Sequence, residues 1–109
     1  MEVVLEGRKF DIQANGYFMK KYQETFEKSN FAIDLFRAIR SSDMLLIAQL
    51  TYCAIQGCSL SFDQWLSSFE TPCFINSERD RILEYLTRDT KPTVELDQPS
   101  EASEDSKKK

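Results

Sequence analysis

The segment 44–56, MLLIAQLTYCAIQ, is apolar around nearly its whole circumference when wound at 3.6 residues per turn. Such a helix is stable in water only when other elements enclose it on most sides. It must therefore be the central, most buried element, with the rest of the chain arranged round it. Ser41-Ser42-Asp43 offers a cap at its start, and Gly57 stops it. At 109 residues the chain has room for one modest core.

The flanking segments supply the enclosure. Residues 2–13 read as a β-hairpin, with Val3 and Leu5 alternating with Glu2, Val4 and Glu6, and Phe10 and Ile12 with Lys9, Asp11 and Gln13. Gly7-Arg8 suits a two-residue type II′ turn. That turn sets Glu6 opposite Lys9, Leu5 opposite Phe10 and Val3 opposite Ile12, with the apolar residues on one face. Two strands alone are marginal in water, so helices must cover that face. Asn15 caps the next element, where Phe18, Met19, Tyr22 and Phe26 form a stripe between Tyr17 and Lys28. Ser29-Asn30 marks a break and a new cap. Residues 31–40 then carry Ala32, Leu35, Phe36 and Ile39 on the side expected to pack, with Asp34, Arg37 and Arg40 facing away.

Behind the central segment, Phe62, Trp65, Leu66 and Phe69 recur at i, i+3, i+4 and i+7. Ser61 and Gln64 stand at capping-box spacing at the start of this stripe, which spans 61–70. Thr71-Pro72 ends it. Asn76-Ser77 opens a last helix, roughly 78–89, with Ile82, Leu83, Tyr85 and Leu86 as its apolar residues. From residue 91 onward (KPTVELDQPSEASEDSKKK) there is no aromatic residue and two of the three prolines. Such a segment buries too little apolar area to offset its ordering entropy, which predicts a disordered tail at 91–109 and one domain at 1–90. The expected fold is α+β and mainly helical: a two-stranded hairpin followed by about five helices packed as a small bundle. Its core should contain Leu5, Phe10, Phe18, Tyr22, Leu35, Ile47, Leu50, Trp65, Leu66 and Phe69.

Few groups are equipped for bond-making. The chain has no histidine and a net charge of −4, which removes the commonest neutral-pH acid/base and metal ligand. It also disfavours nucleic acid, whose phosphates demand basic clusters. Asp34, Asp43, Asp63, Glu70 and Glu84 fall on polar helix faces or near helix N-termini, where solvation and capping account for them. Gly7, Gly16 and Gly57 are scattered at turns and form no phosphate loop. Cys53, Cys58 and Cys73 read first as buried or half-buried structural thiols, with a metal or redox role through the C-x4-C pair as the alternative. An odd cysteine count without an export segment fits a reducing cytosol, and no apolar run approaches the ~20 residues that span a bilayer. The expectation is a non-enzymatic binding protein without cofactor or metal.

Eight Phe, four Tyr and one Trp exceed what a small helical domain readily buries. The surplus should form an apolar patch of the kind that marks a partner site. Tyr17, Phe31, Phe74 and Tyr85 fall off the main stripes and are the expected partner-binding residues.

The order of these features resembles the tail assembly chaperones of long-tailed, siphovirus-like bacteriophages and prophages. EVVLEGRKFDIQAN looks like their opening hairpin, and NGYFMKKYQETFEK is similar to their aromatic, lysine-containing first helix. DLFRAIRSSDMLLIAQLTYCAI resembles their middle, and LSFDQWLSSFE their closing amphipathic element, so the likeness covers roughly residues 2–88. The resemblance implies a holdase of the bacterial host cytoplasm, absent from the mature virion. It would coat the helical tape measure protein, help recruit tail tube protein through a longer frameshift product, and self-associate. Lys107–Lys109 would mark the slippery site. A small helical adaptor that sequesters another protein, or a cysteine-dependent metal-binding protein, is the alternative.

Overall fold

Strands β1 (Glu2–Leu5) and β2 (Arg8–Asp11) form an antiparallel hairpin in the computed structural model, which describes residues 1–88. The expected tail at 91–109, with Lys107–Lys109, lies outside the described residues, as do the last two positions of the expected 1–90 domain. The hairpin register differs from expectation. Val3 pairs with Phe10 and Leu5 with Arg8, so the turn is Glu6-Gly7 and not Gly7-Arg8. Both turn residues have positive φ (52° and 78°), the type I′ geometry that matches strand twist. A slip of two residues leaves every side chain on its original face, so Val3, Leu5 and Ile12 are buried in either register. Hydrophobic alternation alone cannot tell the two apart.

A tertiary anchor accompanies the observed turn. The Glu6 carboxylate accepts from the backbone N–H groups of Glu70 and Thr71, each at 2.9 Å, and from the Thr71 hydroxyl at 2.7 Å. These bonds, the Glu70 N–H foremost, hold its pKa below the ordinary carboxylate value. Arg8, now opposite Leu5, sets its guanidinium 4.2 Å from the Phe69 ring centroid and donates to Ser68 Oγ.

Helices α1 (Gly16–Thr25), α2 (Phe31–Ser41), α3 (Met44–Ala54), α4 (Phe62–Ser67) and α5 (Arg79–Thr87) follow, with a 3-10 turn at Asn76–Glu78. The expected caps are in place. Asn15, Asn30 and Asp43 side chains accept from the first-turn N–H groups of α1, α2 and α3, and Ser61 with Gln64 forms a complete capping box. Helix α3 is the centre: eight of its eleven residues are buried, and α1, α2, α4 and α5 pack against it. It ends before the expected residue 56. There Ile55 bridges to Ile12, and Gln13 N–H donates to Ala54 while Gln56 N–H donates to Asp11. The hairpin is thereby sewn to the exit of the central helix.

Aromatic side chains fill the space between these elements. Trp65 is ringed by Phe10, Tyr52, Phe62, Phe69 and Phe74, with ring centroids 5.0–6.3 Å away. Phe18, Tyr22, Phe26 and Phe31 form a second group, joined to the first where Phe26 meets Phe62 at 5.1 Å. The ten expected core residues lie in or against this body, with Phe10 and Leu66 half-buried. Glu78 closes the exposed edge of β1 by accepting from Val4 N–H at 2.9 Å, and Arg81 pairs with its other oxygen at 2.7 Å.

Candidate docking surface

Helix α2 departs most from expectation. Of the residues expected to pack, only Leu35 does; Ala32 is exposed, Phe36 is 58% exposed and Ile39 44%. The inward row is Phe31, Asp34, Leu35 and Ala38, so Asp34, expected to face water, is only 5% exposed. The i, i+4, i+7 apolar stripe exists as expected, but it lies about one residue's rotation (~100°) away from the body.

A phenol holds the helix in this orientation. The Tyr22 hydroxyl of α1 donates to Asp34 Oδ2 at 2.6 Å, and the side-chain amide of Gln49 on α3 lies 3.0 Å from the same phenolic oxygen. Gln49 presents its Oε1, so the single phenolic proton faces two acceptors, of which the Asp34 carboxylate is the nearer. Arg37 Nη1 stands 4.0 Å from Asp34 Oδ1 at the rim. Burial first, and then the hydrogen bond to Asp34, push the Tyr22 phenol well above its ordinary pKa.

The displaced stripe is continuous with a cleft between α1 and α2. A shallow hollow of about 530 Å³ is lined by Met19 and Gln23 on one side and by Phe31 and Ala32 on the other. A second, of about 240 Å³, is lined by Met19, Phe31, Leu35 and Leu86. Met19 and Phe31 border both hollows, and the stripe meets them through Ala32, which lines the first, and Leu35, which lines the second. The Arg40 guanidinium lies 5.5 Å from the Phe36 ring centroid, which adds positive charge along the stripe.

The residues expected to bind a partner do not come together. Tyr17 is 61% exposed, as expected. Phe31 is half-buried, with its ring against Phe18 and Tyr22, yet it borders the cleft. Tyr85 is half-buried under Arg88, and its hydroxyl accepts from Ala14 N–H. Phe74 is a correction: it is 8% exposed and stacks on Phe69 at 4.0 Å. It sits in the irregular stretch after Pro72, where no periodicity announces burial. Phe36, Ile39 and Met19 are surface residues that pattern alone misses, because each lies on a stripe that predicts packing; Met19, expected beside Phe18 and Tyr22, is 50% exposed. A separate apolar hollow of about 330 Å³ lies between Met44, Leu45 and Ala48 of α3 and the 66–74 segment.

The three thiols are unpaired. Cys53 is buried, Cys58 half-buried and Cys73, against expectation, exposed. Burial pushes the Cys53 thiol up to about 11, which keeps it protonated and unreactive at neutral pH. Among the described residues, no group of three or more His, Cys, Asp or Glu side chains is placed to hold a metal ion. Nor is any described helix long and apolar enough to cross a membrane. No family model, no characterised protein and no solved structure matches this chain. The surface must be read from its own geometry.

Proposed function

We propose that this chain is a helix-binding assembly chaperone whose Met19–Ile39 surface receives an amphipathic client helix. One observation carries the reading: α2 keeps Phe36 and Ile39 in solvent while a carboxylate occupies the inward row. An apolar stripe held outward at the expense of packing is what a partner surface needs. The cleft beside it supplies a groove, and Arg37 and Arg40 favour a client whose apolar stripe is flanked by Glu or Asp. Together with the sequence resemblance, this supports a tail assembly chaperone that keeps tape measure protein dispersed in the bacterial cytoplasm and leaves before the virion is complete.

Co-expression with a candidate tape measure protein, scored by the soluble fraction of that protein, tests the reading. The wild-type chain should raise the soluble fraction. Phe36→Asp/Ile39→Asp should abolish the effect while leaving the chaperone folded. An unchanged client yield with the double variant would remove α2 as the docking face.

A further inference from the structure

We propose that the hollow between the start of α3 and the 66–74 segment is a second docking site. It receives one bulky apolar side chain of a partner helix that carries a Lys or Arg one turn away. The site does not depend on the α2 surface. Its shape follows from helical spacing: Met44 and Ala48 stand one turn apart on α3, and the short Ala48 side chain leaves space before the Phe69 and Phe74 rings. Those rings stack at 4.0 Å and give the hollow a flat apolar wall. A cavity of about 150 Å³ holds benzene, so the 330 Å³ here holds a Leu, Phe or Trp side chain. Leu45, 54% exposed, stands at the mouth. The rim is fixed in advance. The Glu6 carboxylate holds the backbone N–H groups of Glu70 and Thr71, and the Pro72 ring locks its own φ. An occupant therefore enters a preformed pocket, which lowers the cost of binding.

Charge at the rim selects the occupant. Glu70 lines the hollow, and among the described residues no hydrogen bond or ion pair engages its carboxylate. Glu6 at the rim and Asp43 at the start of α3 are tied to backbone N–H groups and add negative charge. Arg8, 4.2 Å from the Phe69 ring centroid, offsets one of the three. The balance favours a cation beside the anchoring side chain and repels a carboxylate there. Residues three or four apart share one helix face, so a Lys or Arg at that spacing meets the rim while the anchor is seated. This preference is opposite to that of the α2 surface, where Arg37 and Arg40 favour acidic flanks. The two sites therefore sort helices by the sign of their flanking charge.

The test uses the full chain and two alanine-based helical peptides, each with one Phe and, four residues on, either Lys or Glu. The Lys peptide should shift the methyl NMR signals of Met44, Leu45 and Leu66, while those of Ile33 and Ile39 on α2 stay fixed. It should bind about threefold more tightly than the Glu peptide. Glu70→Lys changes an exposed side chain and leaves the backbone bonds to Glu6 in place, so it should reverse that order. Ala48→Leu fills the hollow and should abolish the shifts; if that variant does not fold, the Glu70→Lys result decides. Shifts confined to α2, equal affinities for the two peptides, or an order unchanged by Glu70→Lys overturn the proposal. Phe36→Asp/Ile39→Asp alters α2 alone, so the Lys peptide should bind it as it binds wild type. Lost binding there would place the peptide on α2 and overturn the second site, whereas retained binding upholds it even if the α2 reading fails.

Discussion

The Tyr22 hydroxyl donates to Asp34 Oδ2 at 2.6 Å, and this bond decides which side of α2 meets the body. Asp34 lies one turn ahead of Ala38 on the inward row, so anchoring it turns Phe36 and Ile39 outward. Removing one partner leaves the other poorly satisfied. Asp34→Ala should cost about 1–3 kcal/mol, because it removes a charged acceptor and leaves the hydroxyl only the longer bond to Gln49 Oε1 at 3.0 Å. Tyr22→Phe should cost about as much by stranding the carboxylate, with only Arg37 at 4.0 Å to offset it. Tyr22→Phe/Asp34→Leu should then lose less than the sum, since neither orphan remains. Urea denaturation of the four proteins gives the coupling, and strictly additive losses would refute the bond's role.

Alkaline pH should destabilise the fold through Cys53. Below pH 9 the thiol is protonated in folded and unfolded chains alike, so its contribution is intact. Above pH 9 the unfolded thiol ionises while the buried one holds its proton to about 11, and stability falls across that window. Each pH step of one in which only the unfolded thiol is ionised removes about 1.4 kcal/mol, so the full loss from this group approaches roughly 2–3 kcal/mol. Tyr22 adds a further loss above pH 10, its phenol being raised in the same sense. Cys53→Ala should lower stability at neutral pH through the small cavity it leaves, yet flatten the curve between pH 9 and 10. An unchanged slope in that interval would exclude the thiol as its source.

The hairpin turn can be tested with two glycines. A Cβ at Gly7 or Gly16 meets nothing within 4 Å, so any difference between them is conformational. Gly7 sits at φ 78°, where an L side chain costs about 1–2 kcal/mol. Gly16 is the first residue of α1, where alanine should gain about 0.5 kcal/mol by restricting the unfolded chain. Gly7→Ala should thus lower the thermal midpoint and Gly16→Ala raise it slightly. Equal shifts would exclude a positive φ at Gly7.

How far the fold was legible follows from the same contrast. The starts of α1 to α4 were readable because each depends on a side chain two or three residues from its own backbone target, at Asn15, Asn30, Asp43 and Ser61. The central helix was readable because its apolar surface admits one environment. The hairpin register was not, because a two-residue slip preserves the faces and the deciding bonds run from Glu6 to residues 64 and 65 positions away. Phe74 was missed for want of periodicity. The orientation of α2 was hidden by two overlapping stripes that share Leu35, one with Asp34 and Ala38, the other with Phe36 and Ile39. The wholly apolar stripe is the better candidate on pattern alone. A hydroxyl on another helix selects the other one, and pattern within α2 holds no trace of it.

Adjacent residues of α2 therefore give opposite expectations. Leu35 is buried and borders the α1–α2 cleft, so Leu35→Ala should cost about 2–4 kcal/mol in lost transfer energy and cavity. Phe36 projects into solvent beside Arg40, so Phe36→Asp should change stability by no more than about 0.5 kcal/mol, the usual range for exposed positions. The same Phe36→Asp chain should lose affinity for a synthetic amphipathic helix with leucine at heptad positions a and d and glutamate at e and g, because a charge replaces the largest apolar side chain on the stripe. Denaturation midpoints and peptide affinity, measured on one preparation, separate the two roles. If Phe36→Asp unfolds the chain as readily as Leu35→Ala, α2 packs its apolar stripe inward and the docking surface does not exist.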